Sequence, residues 1–89
     1  MSSSIAELTQ RLSGLKILAD LLQADPRSPG TALKEDAAAD PLISSAQKLQ
    51  VPLLAPLTIG TLLASVLGEM DSDENALKAL THHQTGKNN

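Results

Sequence analysis

Apolar residues recur along the first quarter of the chain at alternating steps of three and four. Ile5, Leu8, Leu12, Leu15, Ala19 and Leu22 form a heptad seam, the spacing at which one face of an α-helix meets a partner. Leu18 and Leu21 widen that stripe, and Ile17 lies off it. A stripe of this width suits a helical bundle more than a two-stranded coiled coil. Ser4-Ile-Ala-Glu7 reads as a capping box, hydroxyl to the third backbone N–H and carboxylate back to the cap's own N–H. Together these features predict a helix over about residues 4–23. Gly14 falls in its interior, at about 1 kcal/mol relative to Ala, which points to a close helix contact or to a kink.

A second apolar region, Leu49 to Gly68, carries no charge at all. Within it Ile59, Leu62, Leu63, Val66 and Leu67 fall at i, i+3, i+4, i+7 and i+8, the apolar face of a helix. Pro56 suits a first turn, where its missing N–H is not needed. Gly68 suits the residue just past the end, so a helix is expected over 56–67. Gly60, Ala64 and Gly68 make a line of small residues at four-residue spacing, which lets another helix approach closely. The uncharged stretch approaches the roughly 20 residues of a membrane span. Pro52 and Pro56 interrupt it, however, and no Trp, Tyr or Lys/Arg cluster flanks it. Val51 to Ala55 is expected to be an extended, buried connector.

Pro26, Pro29 and Gly30 end the first helix, and a polar, Pro/Gly/Ala-rich loop follows over 25–40. Thr31 to Ala39 has enough helix formers for one or two turns. Asp40-Pro41 reads as a cap and a first-turn proline, opening a short helix over 41–50 with Leu42, Ala46 and Leu49 on one side. Beyond Gly68, Asp71-Ser-Asp-Glu74 reads as the start of a last helix, 72–83, with a narrow face of Ala76, Leu77 and Leu80. Residues 84–89 are expected to be a frayed tail. The fold class is therefore all-α: one domain over 1–89, a small bundle of three to four helices at about 4–23, 41–50, 56–67 and 72–83.

Composition sharpens this. The 89 residues are 42% hydrophobic but include no Phe, Tyr or Trp. Aromatic rings bring the largest area per residue, so the core must be built from Leu, Ile, Val and Ala. A thin aliphatic core at this length is often completed by a partner chain, and self-association is the first expectation. With no Cys, disulfides, thiolate nucleophiles and thiolate metal sites are all excluded.

The net charge is −3, and the seven Lys and Arg are scattered. Nucleic-acid binding needs clustered cations and often stacking aromatics, and neither is present. Ser45-Ala-Gln-Lys-Leu-Gln-Val-Pro52 resembles the first helix and turn of a helix-turn-helix, which implies that the next helix reads DNA. Yet Pro56 to Gly68 holds no Arg, Lys, Asn or Gln, the side chains that base readout uses. The partner expected is thus protein, the same chain first, with no nucleic acid and no firm membrane contact. Met1 to Gln10 has no basic segment followed by an apolar run. This gives a cytoplasmic expectation, with export without a cleaved signal as the alternative.

Reactive chemistry is sparse. Asp71, Asp73 and Asn75 occupy the first three ligand positions of a calcium loop, but Ala76 and His82 stand where its glycine and bidentate glutamate belong. His82 and His83 point about 100° apart on a helix, and there is no third His or Cys to complete a zinc site. Solvated helix-end histidines, favoured by the dipole, are the simpler reading. Nucleophiles are limited to Ser and Thr, and the five glycines form no phosphate loop. No catalytic residue, cofactor or metal is expected. Leu18-Ala-Asp-Leu-Leu22 matches an LxxLL docking pattern, but those leucines already belong to the α-helical stripe. The expected function is a non-enzymatic interaction module, an adaptor, chaperone or regulatory subunit that is homodimeric. Its face would be Leu15, Leu18, Leu22, Ile59, Leu62, Leu63, Val66 and Leu67. The alternative is a structural or secretion-apparatus subunit that self-assembles or meets a membrane through 51–67.

Overall fold

The structure, a computed structural model, describes residues 5–36 and 38–87, with side chains described as far as His82. It is all-helical: α1 (Ile5–Ala24), α2 (Pro41–Lys48) and α3 (Ile59–Lys87). The Pro29 carbonyl accepts from the Gly60 N–H at 2.8 Å, which places the end of α1 beside the start of α3. Arg11, earlier on α1, reaches Asp73, further along α3. The two long helices therefore run antiparallel, and α2 lies across one flank of α1. The core is aliphatic. Leu15, Leu18, Ile43, Leu62 and Val66 are fully enclosed, ringed by Ala19, Leu22, Leu33, Leu42, Ala46, Val51, Leu57 and Ile59.

Local chemistry explains the element ends. Asp40 caps α2, its carboxylate accepting from the Leu42 N–H at 3.0 Å, with Pro41 in the first turn as expected. The far end of α2 is a Schellman motif. The Val51 N–H donates to the Ala46 carbonyl, the Gln50 N–H donates to the Gln47 carbonyl, and Gln50 takes a left-handed φ of 59°. This stop comes before Gln50, where the short helix was expected to end. The Ser4 half of the expected cap on α1 lies outside the described residues.

The largest departure is α3. Two helices were expected, at 56–67 and 72–83, and one continuous helix is found. It starts at Ile59, leaving Pro56 outside it in the connector, after a cis Ala55–Pro56 bond. Thr58 supplies the cap instead. Its Oγ1 accepts from the Thr61 N–H at 3.1 Å, and Thr61 Oγ1 accepts from the Thr58 N–H at 2.8 Å, a reciprocal box with threonine in the usual glutamate place. Leu57 and Leu62, the staple positions around this cap, are both buried. At the other end the helix passes through Gly68 and Asp71–Glu74 without a break and continues to Lys87, across most of the stretch expected to be a tail.

Gly68 therefore terminates nothing, and a Cβ built on it meets only open space. Gly68→Ala should raise unfolding stability by about 0.8–1 kcal/mol, the helix-interior preference for alanine. Equilibrium urea unfolding would check this. A loss of stability instead would mean the residue adopts the left-handed backbone of a helix end.

Other parts of the reading also shift. The described residues between Thr31 and Ala39 are not helical. Ala32 and Thr58 form an isolated antiparallel bridge, the Leu33 N–H donates to the Leu57 carbonyl, and the Ile59 N–H donates to the Thr31 carbonyl. The loop thus spends its backbone groups, one donor and two carbonyl acceptors, on the entry to α3, where sequence propensity alone favoured a helical turn. The connector 51–55 is only partly buried: Val51 is enclosed, Leu53 half-buried, and Pro52, Leu54 and Ala55 exposed. The small line on α3 receives no helix. Gly60 is crowded by the Pro29 backbone, while Ala64 and Gly68 are exposed. Gly14, where a close helix contact or a kink was expected, makes a close contact with Leu49. A Cβ there would lie 2.9 Å from Leu49 Cδ2, so a larger residue would oblige the Leu49 side chain to shift.

Candidate interaction face and the charged clamp beside it

The eight residues expected to form an interaction face separate into two groups. Leu15, Leu18, Leu22, Ile59, Leu62 and Val66 are brought together, but inside the chain, as the α1–α3 seam. Leu63 is half-buried at the edge of that seam, and Leu67 is exposed on the outer side of α3.

The exposed apolar surface lies elsewhere. Ile17 is 61% exposed and Leu21 is 51% exposed, one turn apart on the flank of α1 that faces α2. Together with Gly14 they form one wall of an open groove of about 250 Å³, and Ser45 and Lys48 of α2 with Leu49 at its end form the other. Its surface is overwhelmingly apolar, with Lys48 the one charged side chain along its walls. The groove continues past Leu49 into a more polar hollow beside Gln10, Arg11 and Gln50. Two exposed β- and γ-branched side chains beside a furrow are an uncommon feature on a chain with so little apolar mass to spare. The signal was present in the sequence: Ile17 departs from the core stripe, and Gly14, Ile17 and Leu21 follow one another at steps of three and four.

Below this hollow sits a clamp that no sequence pattern announced. The Arg11 guanidinium uses all its branches. Nη1 donates to both Asp73 oxygens at 2.8 and 2.9 Å, Nη2 to Glu69 Oε1 at 2.7 Å, and Nε to the Leu49 carbonyl at 2.9 Å. One side chain thus ties α1 to α3 and to the residue that ends α2. Asp73 is buried, 6% exposed. Burial by itself would lower the Arg11 pKa, but the hydrogen bonds to Glu69 and Asp73, and their charges, outweigh it and the net shift is upward. The planar fork is well matched to this geometry, since the acceptors lie against three different guanidinium nitrogens where a lysine offers only one.

A second arginine organises the opposite end. Arg27 donates to Asp25 from Nε at 2.9 Å and from Nη2 at 2.7 Å, and to the helix-capping Asp40 from Nη1 at 3.2 Å. The Arg27 side-chain and backbone hydrogen bonds hold the Asp25 carboxyl down to about 2, from an ordinary 3.8. Because the folded value lies below the unfolded one, whatever this pair contributes is present above pH 4 and is lost as pH falls through 2. The Arg27 side chain is 39% exposed, so water screens the pair and its contribution is small.

Among the described residues, no three His, Cys, Asp or Glu side chains are placed to hold a metal ion. Asp71 and Asn75 are exposed while Asp73 turns inward to Arg11, so the residues of the calcium-like spacing do not converge. His82 is exposed, and the side chain of His83 lies outside the described part. Among the described residues no helix is long and apolar enough to cross a membrane. No protein-family model, no curated protein and no solved structure matches this chain.

Proposed function

We propose that the protein is a non-enzymatic helical interaction module, an adaptor, chaperone or regulatory subunit, that works as a homodimer. One observation carries the proposal: Ile17 and Leu21 stand more than half exposed beside the apolar α1–α2 groove, on a chain whose remaining apolar stock is largely consumed by its core. Burying such side chains against a partner is worth about 1.5–3 kcal/mol each when the burial is complete. The supporting physics is the same thinness of core that made self-association the first expectation, now located on a different face from the eight residues first named. The assembling or membrane-contacting alternative draws less support. In a membrane role through 51–67, Val51, Leu57, Ile59, Leu62 and Val66 would have to leave the core they now fill.

The test is the mass of the purified chain by light scattering behind a sizing column, at two concentrations about twentyfold apart. A dimer that dissociates on dilution, or a dimer at both, is the expected result. A monomer at both would sink the homodimer, and mass growing without limit would favour the assembling subunit.

A further inference from the structure

The short helix α2 is joined to the rest of the molecule differently from the two long ones. It packs on α1 and scarcely meets α3. At 8 residues it cannot hold a helix by itself, since isolated helices under about 12 residues are marginal in water. The chain that carries it forms a loop closed at its base. The Ile59 N–H donates to the Thr31 carbonyl, and the Leu33 N–H donates to the Leu57 carbonyl. These two bonds keep the stems of the loop together at the entry to α3, so α2 can part from α1 without separating α1 from α3. Each end of α2 is fastened by an arginine outside it. Arg27, just past α1, donates from Nη1 to the capping Asp40 at 3.2 Å. Arg11, on α1, donates from Nε to the carbonyl of Leu49, the residue at the other end, at 2.9 Å. Between the fastenings Leu42, Ile43 and Ala46 are buried in the core. One hydrogen bond at each end, from a guanidinium that water reaches, is weak beside the apolar seam of α1 and α3.

From this topology we infer that α2 is a strap: it opens from α1 as one unit and recloses while the α1–α3 pair stays folded. Opening carries away Ser45, Lys48 and Leu49, one wall of the apolar groove, so the width of the groove follows the strap. The strap is a property of the single chain. It stands whether or not the chain pairs with a copy of itself.

Amide hydrogen exchange of the full chain, followed by nuclear magnetic resonance at one protein concentration, reads such openings. The Ser44, Leu49 and Val51 N–H groups donate to the carbonyls of Asp40, Ser45 and Ala46. They are expected to share one level of protection, at least about a hundredfold below that of Val66 and Met70 in the middle of α3. The decisive readings come from changes in the α1–α3 pair away from α2. Gly68→Ala stabilises α3 and should slow exchange at Val66 and Met70 about four- to fivefold. Leu12 is buried but outside the core cluster that α2 joins, and Leu12→Ala should speed exchange at Val66 and Met70 by more than about tenfold. Neither change should move Ser44, Leu49 or Val51 by more than about twofold, because the α1–α3 pair is intact when the strap opens. Arg27→Met undoes one fastening and should speed exchange at those three about threefold. Amides of α2 that follow Val66 in both variants of the pair would show that α2 opens only when the whole molecule unfolds. Unequal protection among the three would show fraying in place of one opening. Either result overturns the strap, and unchanged exchange in Arg27→Met would overturn the fastening by Arg27.

Discussion

Arg11→Met should lower unfolding stability by about 2–3 kcal/mol, the largest loss expected from any single charge in the molecule. Removing one partner of a fully buried ion pair typically costs about 3–5 kcal/mol, because the other charge is left desolvated and unpaired. Here the figure is reduced because water reaches part of the clamp. The Arg11 side chain is 24% exposed and that of Glu69 is 31% exposed, so Glu69 can rehydrate. Asp73 cannot, with its side chain only 8% exposed. Methionine keeps the unbranched stem of arginine in place, so the loss reports the guanidinium rather than packing. The accompanying double variant Arg11→Met/Asp73→Leu removes the stranded carboxylate and should recover most of the loss. Urea denaturation followed by circular dichroism measures both. A single-variant loss under about 0.5 kcal/mol would reduce the clamp to an ordinary surface ion pair.

Leu62→Ala should cost about 3 kcal/mol, while Leu67→Ala, five residues further along the same helix, should stay within about 0.5 kcal/mol. Leu62 is 1% exposed at the centre of the α1–α3 seam, whereas Leu67 is 44% exposed on the outside. A domain of this size has roughly 5–10 kcal/mol of stability in all, so the first change removes a large part of it. With no aromatic ring in the core to settle into the space, the cavity has only small aliphatic neighbours to close it. The expected fall in melting temperature is about 12–20 °C for Leu62→Ala. Comparable losses at the two positions would mean that α3 presents a different face to α1.

The helical class and the start of α2 were legible because they rest on local rules: apolar spacing, Asp40 before Pro41, and the glycine and prolines after Ala24. The break placed at Gly68 failed for a physical reason. The apolar period of α3 runs 59, 62, 66, 70 and then reaches Asp73, a carboxylate at a core-facing position. Read alone, Asp71–Glu74 looks like a helix start. Its true partner, Arg11, is remote in sequence on α1, and no periodicity within α3 can reveal it. Gln50 is a similar case, since a left-handed residue ending α2 carries no glycine to announce it. Six of the eight residues expected to face a partner fill the core instead, because the periodicity that marks a buried stripe cannot tell an internal partner from an external one. The strongest stripe found α3, and only the weaker line through Gly14, Ile17 and Leu21 was left for anything else.

The antiparallel pairing of α1 with α3 has a consequence for the time course of folding. The two helices that make most of the core lie at opposite ends of the described chain, joined through everything from Asp25 to Thr58. Closing that connection carries an entropy of about 3 kcal/mol before any of the seam is formed. Neighbouring helices of ordinary bundles meet through short turns and fold in microseconds to milliseconds. In this molecule Leu15 and Leu18 find their core partners on α2 and α3, and the eight-residue α2 covers only part of the seam. The encounter that completes the core is therefore the one between α1 and α3. During synthesis the α1 seam is expected to stay incomplete until the residues from Ile59 onward have been made.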